Sequence, residues 1–470
     1  MNNSIKSVIW SSIDRFSVQI IQLVLGFVIA RELDPKVYGI VAIVNIFIAV
    51  AQVFIDSGFG NALTHKQNRT EIDYSTVFYF NIIISVFLYI ILYFGAVYIA
   101  DFYGVSIIIE VARWIGIVLI INALSIVQIT KLTINLDFKS QAKSSLYSVI
   151  LSGLIAVCLV YQGCGVWALV IQIILSNLIR TILLYYYIPW IPLPVFSMQS
   201  FKGLFLYGSR LLAVGLLHTI FQNLYSILIG KFFTTTTLGL YNKAFSLSQY
   251  PSNNISMVVS RVVFPIFCKL QGDDDSLKSY FLRTVRCVML VEFPIMTLLF
   301  VISKPLVLSL LTDKWVGAIP LLQILCIAYV MNPVMNLCAY VIMAKGRSDY
   351  SFNAEIIKKI VFGIILLCTL PFGVKLMCWG LVVYSFIDFL VISYYLKKTI
   401  FIKTKQIVKE LLPSFFISIS MALIVFLICS MFSSSFIQLL VGVFVGILTV
   451  VLFMYLLKIE EFLLIISKIK

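Results

Sequence analysis

Runs of about 20 apolar residues, the length that spans a bilayer as a helix, recur through this chain and fix what it can become. The stretch NIIISVFLYIILYFGAVYIA (81 to 100) has one asparagine and no charge. Similar runs fall near 5–30, 39–64, 76–100, 105–130, 143–162, 165–188 and 203–230. They continue near 238–265, 283–310, 316–343, 354–371, 375–396, 408–431 and 435–458. The pattern predicts an all-α polytopic membrane protein of about 14 transmembrane helices. Composition agrees, because 61% of residues are hydrophobic and 12% charged, against roughly 45–50% and 25% in soluble domains. Tight breaks such as QGCG (162 to 165) and FGVK (372 to 375) suit helical hairpins.

No break exceeds about 20 residues, which leaves no room for an extramembrane catalytic or ATP-binding domain. Walker A, GxSxG and HExxH motifs are absent, so the sequence points to a non-enzyme without a cofactor. Nine scattered cysteines form no CxxC pair, and neither a metal site nor a disulfide framework is expected. GDDDS (272 to 276) lacks the later ligands of a calcium loop and reads as a solvated turn. The first apolar stretch, interrupted by Asp14, Arg15, Gln19 and Gln22, is too long and polar for a signal peptide and reads as a retained helix.

A net charge of +15 raises nucleic acid as a partner, but the bases are spread over alternate breaks. With the N-terminus in the cytoplasm, about 24 bases fall on that side, Lys358 and Lys359 among them, and about 8 on the other. This asymmetry places both termini inside, makes the lipid bilayer the partner and argues against nucleic acid. Arg15, Arg180 and Arg210 remain within spans.

Internal similarity appears at an offset near 200 residues. ARELDPKVYGI (30 to 40) and GKFFTTTTLGL (230 to 240) each place a glycine eight residues after a base. The following helices carry Asn45, Ala49, Gln52, Asp56 and Asn242, Ser246, Gln249, Asn253, both at i, i+4, i+7, i+11. That spacing confines each set to an arc of about 60°. Ser11, Arg15, Gln19, Gln22 and Gly26 line one face of the first helix, and Arg210, His218, Gln222 and Tyr225 share a face of the seventh. The expected organisation is two pseudo-symmetric six-helix bundles, residues 1–200 and 201–400, followed by an appended hairpin, 401–470.

A charge at mid-span costs about 2.5 to 3.5 kcal/mol on insertion scales, so such stripes are expected to line a protein interior or a watered cavity between the halves. Arg15 and Arg210 offer guanidinium forks that match phosphate oxygens, with Asp56 at comparable depth. Structural neutralisation of Arg15 by Asp14 or Asp56 is the competing reading. Gln19, Gln22, Gln52, Gln249 and Asn253 supply amides for a hydroxyl-rich group. Asp56, His218, Glu292 and Asp388 are candidates for ion coupling.

Three stretches then carry a resemblance: SGFGNALTHKQ with DYSTVFYFN (57 to 81), the run from LYGSRLLAVG to VVFPIFCKLQ (206 to 271), and PLVLSLLTDKWVGAIPLLQIL (305 to 325). They resemble the Wzx-type polysaccharide-unit flippases of the multidrug/oligosaccharidyl-lipid/polysaccharide exporter superfamily. The resemblance implies a V-shaped pair of bundles in a bacterial inner membrane. It also implies transfer of an undecaprenyl-diphosphate-linked glycan unit to the outer leaflet by alternating access, in the company of a polysaccharide polymerase or export complex. Such proteins often carry an acid where this chain has Tyr225. A drug/cation antiporter of the same superfamily should show a net acidic seam, and a membrane-embedded polymerase or ligase should carry a large catalytic loop; neither feature is found.

Overall fold

The computed structural model describes the backbone of residues 2–56 and 59–457, and side chains over 17–457 except 56–59, 61, 65, 206–208, 210 and 211. Seventeen α-helices and two short 3-10 turns account for all regular structure among the described residues. They are α1 (Asn2–Glu32), α2 (Pro35–Asp56), α3 (Phe59–His65), α4 (Glu71–Tyr103), α5 (Ile108–Ile134) and α6 (Phe138–Tyr161). Next come α7 (Val166–Tyr187), α8 (Met198–Phe232), α9 (Thr235–Lys269), α10 (Asp274–Val301), α11 (Ser303–Leu310) and α12 (Ala318–Tyr329). The last are α13 (Asn332–Ala344), α14 (Ser348–Thr369), α15 (Val374–Ile400), α16 (Thr404–Cys429) and α17 (Ser435–Leu456).

Among the described residues, eleven segments are long and apolar enough to cross a membrane, with α12 and α13 counted as one. Three other long helices, α1, α9 and α14, are the ones interrupted by amides or charges. Phe87, Phe94 and Tyr98 on α4 and Phe444 and Ile447 on α17 are exposed, an apolar surface that lipid covers and water would not tolerate. The chain is an all-α, multi-pass membrane protein.

Contacts divide it into two compact units, residues 1–239 and 240–470. In the first, α4 and α5 form one hairpin and α6 and α7 another; α1 lies along α6, and α2 packs on α5 and α8. Ile55, Leu63, Val77, Leu119 and Val127 build a core among α2 to α5. The QGCG turn closes the α6/α7 hairpin with Gly163 (φ 78°) and Gly165 (φ 56°), a left-handed region that side chains resist. The start of α4 is fixed by a capping box, in which Thr70 N donates to Asp73 Oδ2 at 2.9 Å and Asp73 N to Thr70 Oγ1 at 3.3 Å. The segment between α7 and α8 returns to this helix end. Trp190 Nε1 donates to Glu71 Oε2 (2.6 Å), Leu193 N to Ser75 Oγ (2.9 Å) and Ser197 N to Thr76 Oγ1 (3.1 Å).

The two repeat glycines meet. A Cβ on Gly39 would lie 1.8 Å from the Thr235 carbonyl oxygen, and one on Gly239 would lie 1.9 Å from that of Pro35. The first turns of α2 and α9 therefore touch backbone to backbone, a contact only glycine permits.

In the second unit α10 packs on α16, α12 and α13, and α15 on α12, α13 and α14. Phe267, Phe281, Val285, Leu337 and Leu396 form its main core. The hairpin of α16 and α17 docks on α10: Gly442 and Gly446 admit Ile302 and Leu298, while Arg286 Nε donates to Glu410 Oε2 at 2.6 Å. Pro333 has no N–H to offer the Tyr329 carbonyl four residues earlier, so the span breaks between α12 and α13.

Candidate functional site

The backbones of Arg15, Asp56 and Arg210 lie on α1, α2 and α8, but their side chains are outside the described residues. On α1, Gln19 is half-buried with Oε1 unpartnered, and Gln22 is exposed. On α2, Asn45 is exposed although Ile43, Val44 and Ile46 around it are buried. Two turns further, half-buried Gln52 Oε1 accepts from Asn122 Nδ2 of α5 at 3.0 Å. His218 on α8 is exposed and lies 3.2 Å from Gln222 Nε2, whereas Tyr225 is buried.

The second unit repeats this arrangement. Ser246 and Asn253 of α9 are exposed, while Tyr241, Ala244, Leu247 and Ser248 turn inward. Gln249 is half-buried and reaches the Tyr329 side chain. Each stripe is thus left outside its own unit's core, as the apolar arc opposite it takes up the packing.

Glu292 on α10 is fully buried, and neither carboxylate oxygen has a hydrogen-bond donor. Asp388 on α15 differs, because Lys358 Nζ stands 3.2 Å from its Oδ1 and also 2.6 Å from Glu355 Oε1. Charge counting groups Lys358 with the cytoplasmic side. The structure sets it about 15 Å along α14 with its side chain 11% exposed, where a carboxylate from α15 compensates it. Sequence reasoning missed the lysine as Asp388's partner; the i, i+3 pair Glu355/Lys358 was its one local signal. It also missed the cluster at the start of α4, where Lys131 Nζ contacts Glu71 (2.9 Å) and sits over the Tyr74 (4.5 Å) and Trp190 (5.0 Å) rings.

Among the described residues no three His, Cys, Asp or Glu side chains gather in a way that could hold a metal ion. Fold and site together define a multi-pass helical membrane protein that carries a partly exposed polar stripe on each unit. Residues 28–320 match the family described as polysaccharide biosynthesis protein, and the chain belongs to that family. It is 28% identical over 421 residues to the teichuronic acid biosynthesis protein TuaB of Bacillus subtilis (strain 168), covering 89% of this chain and 87% of that protein. Against the lipopolysaccharide biosynthesis protein WzxC of Escherichia coli (strain K12), identity is 26% over 367 residues, or 75% of this chain and 72% of the other. The Wzx-type likeness read from the sequence therefore holds. The lipid II flippase MurJ, in an inward closed conformation, shares the fold with a TM-score of 0.75, 15% identity and coverage of 96% of this chain and 100% of its own.

Proposed function

We propose that this protein is a flippase that moves an undecaprenyl-diphosphate-linked oligosaccharide repeat unit across a bacterial inner membrane, by alternating access, for surface polysaccharide synthesis. The observation that carries this reading is the polar stripe on a long helix of each unit, with Asn45 exposed and Gln52 half-buried on α2 and Ser246 and Asn253 exposed on α9, in a chain of this family. A stripe of amides and hydroxyls suits sugar hydroxyls, whereas the apolar outer surface keeps the polyprenyl tail in lipid. In this account the chain crosses the membrane 14 times, as two six-helix bundles and an appended hairpin with both termini in the cytoplasm. Arg15 and Arg210 draw in the diphosphate. Gln19, Gln22, Gln52, Gln249 and Asn253 line the path of the glycan, and no covalent step is required. Asp56, His218, Glu292 and Asp388 are the groups through which an ion gradient could act. Partners are the lipid-linked glycan, the bilayer and a polymerase or export complex.

Substituting Arg15 and Arg210 by alanine in a polysaccharide-producing cell tests the anion role. Lipid-linked units are expected to accumulate while protein levels stay normal. Unimpaired export at normal levels would reject the role of both arginines.

A further inference from the structure

The turn joining α15 to α16 gathers positive charge that the packing does not use. Lys397, Lys398, Lys403, Lys405 and Lys409 are all exposed, and none of the five pairs with a carboxylate among the described residues. At the starts of α4 and α14, by contrast, bases meet acids: Lys66 with Asp73 (2.7 Å), Lys131 with Glu71 (2.9 Å) and Arg347 with Asp349 (2.8 Å). Glu410, the acid that follows the lysine run in sequence, is held by Arg286 at 2.6 Å. Helix stability does not explain these lysines either. The first turns of α4, α10 and α14 carry acids, which suit the positive end of the helix dipole, whereas Lys403, Lys405 and Lys409 load that end of α16 with like charge.

Aromatic groups frame the charge. Phe401 projects from the turn with 73% of its surface exposed, on a left-handed backbone (φ 56°, ψ 25°) that a bulky residue resists. Tyr394 is exposed as well, and Lys398 Nζ stands 4.6 Å from its ring centroid. Tyr395 lies 5.5 Å from the ring of Tyr350 on α14, over which Arg347 Cζ sits at 3.7 Å. Both α15 and α16 are long and apolar enough to cross the membrane, so their shared turn stands where hydrocarbon gives way to headgroups. At that level an apolar ring enters the lipid boundary, tyrosines lie along it and lysines reach phosphates.

We propose that this turn is a binding site for anionic phospholipids, with Lys397, Lys398, Lys403, Lys405 and Lys409 on the headgroup phosphates and Phe401 wedged among the acyl chains beneath them. The occupant is a lipid rather than a soluble anion because an exposed phenyl ring beside the charges gains only from an apolar neighbour, which free phosphate lacks. Bases that only fix orientation act by their number near a span. They require neither a ring projecting from the turn nor lysines set against a helix dipole. The site rests on the membrane fold alone and is independent of the transport reading above.

The test is thermal unfolding of the purified full chain in neutral detergent, titrated with phosphatidylglycerol against phosphatidylcholine. A ligand that binds only the folded state raises Tm saturably. The rise is expected with phosphatidylglycerol, to weaken as salt is added, and to be absent with phosphatidylcholine or with inorganic phosphate at equal ionic strength. A lysine near an anionic surface is worth about fivefold in affinity, so Lys405→Gln with Lys409→Gln should need about 25-fold more lipid for the same rise. Lys139→Gln with Lys143→Gln, an equal loss of exposed charge on α6, should leave the response as it is. Phe401→Asn should raise Tm without lipid, since asparagine accepts the left-handed backbone, yet respond less to phosphatidylglycerol. Phosphatidylglycerol retained on the purified chain, counted by mass spectrometry of the extracted lipid, is the companion readout should a variant unfold too early for a Tm. No rise with phosphatidylglycerol in the unaltered protein, an equal rise with phosphatidylcholine or inorganic phosphate, a full response in the Lys405/Lys409 variant, or the same loss in the Lys139/Lys143 variant would each overturn the site.

Discussion

Removing the ammonium of Lys358 is the sharpest test of the packing derived for the second unit. Its Nζ lies 2.6 Å from Glu355 and 3.2 Å from Asp388, and the Lys358 and Asp388 side chains are only 11% and 12% exposed. Lys358→Met keeps the aliphatic stem but strands the Asp388 carboxylate in a helical interior. Losing one partner of a buried pair costs about 3–5 kcal/mol. The longer contact to Asp388 and the exposure of Glu355 favour the lower end, about 3 kcal/mol. At about 2–4 °C per kcal/mol for a unit of some 150–250 residues, Tm should fall by about 6–12 °C. Removing both charges, as Lys358→Met with Asp388→Leu, should bring stability back to within about 1 kcal/mol of the starting protein, since an apolar pair avoids the desolvation penalty. Thermal unfolding in detergent, run on both single variants and the double one, measures this. An unchanged Tm in Lys358→Met, or a double variant no better than the single ones, would refute the pairing.

Other outcomes follow from the same geometry. Trp190→Ala should cost about 3–5 kcal/mol by emptying a buried site at the start of α4, and Trp190→Phe about 1–2 kcal/mol through loss of the bond to Glu71, both read by thermal unfolding. Gly239→Ala and Gly39→Ala should abolish export in cells, because the added methyl meets a backbone carbonyl that cannot yield; normal export would contradict the close approach of α2 and α9. Asp273 caps α10, and hydrogen bonds from Ser276 and the backbone hold its carboxyl below the usual aspartate range. A depressed folded pKa gives stability that is full above about pH 4 and lost as pH falls through the folded value. The Tm advantage of the unaltered protein over Asp273→Ala should therefore persist from neutral pH to about pH 5 and vanish in stronger acid.

Sequence periodicity carried far in this protein because lipid leaves the backbone few choices. Apolar runs marked the helices, the QGCG and FGVK breaks marked hairpin turns, and glycines at a common offset from Arg31 and Lys231 marked two helix starts that the fold brings into contact. The stripes on α2 and α9 were legible for the same reason: a helix that exposes Asn45 or Asn253 must turn its remaining arc inward. Pairing across helices was not legible. Lys358 and Asp388 stand far apart along the chain, and a lysine near Glu355 and Lys359 looks like part of a solvated break until α15 is folded against it.

Reconstitution into liposomes with a fluorescent polyprenyl-diphosphate glycan, followed by an impermeant quencher or a sugar-modifying enzyme outside the vesicle, tests the central claim most directly. Protein-dependent transfer between leaflets is expected, slowed in Arg15→Ala and Arg210→Ala. Transfer no faster than in protein-free vesicles, with folded protein present and the partners of an export complex supplied, would contradict it.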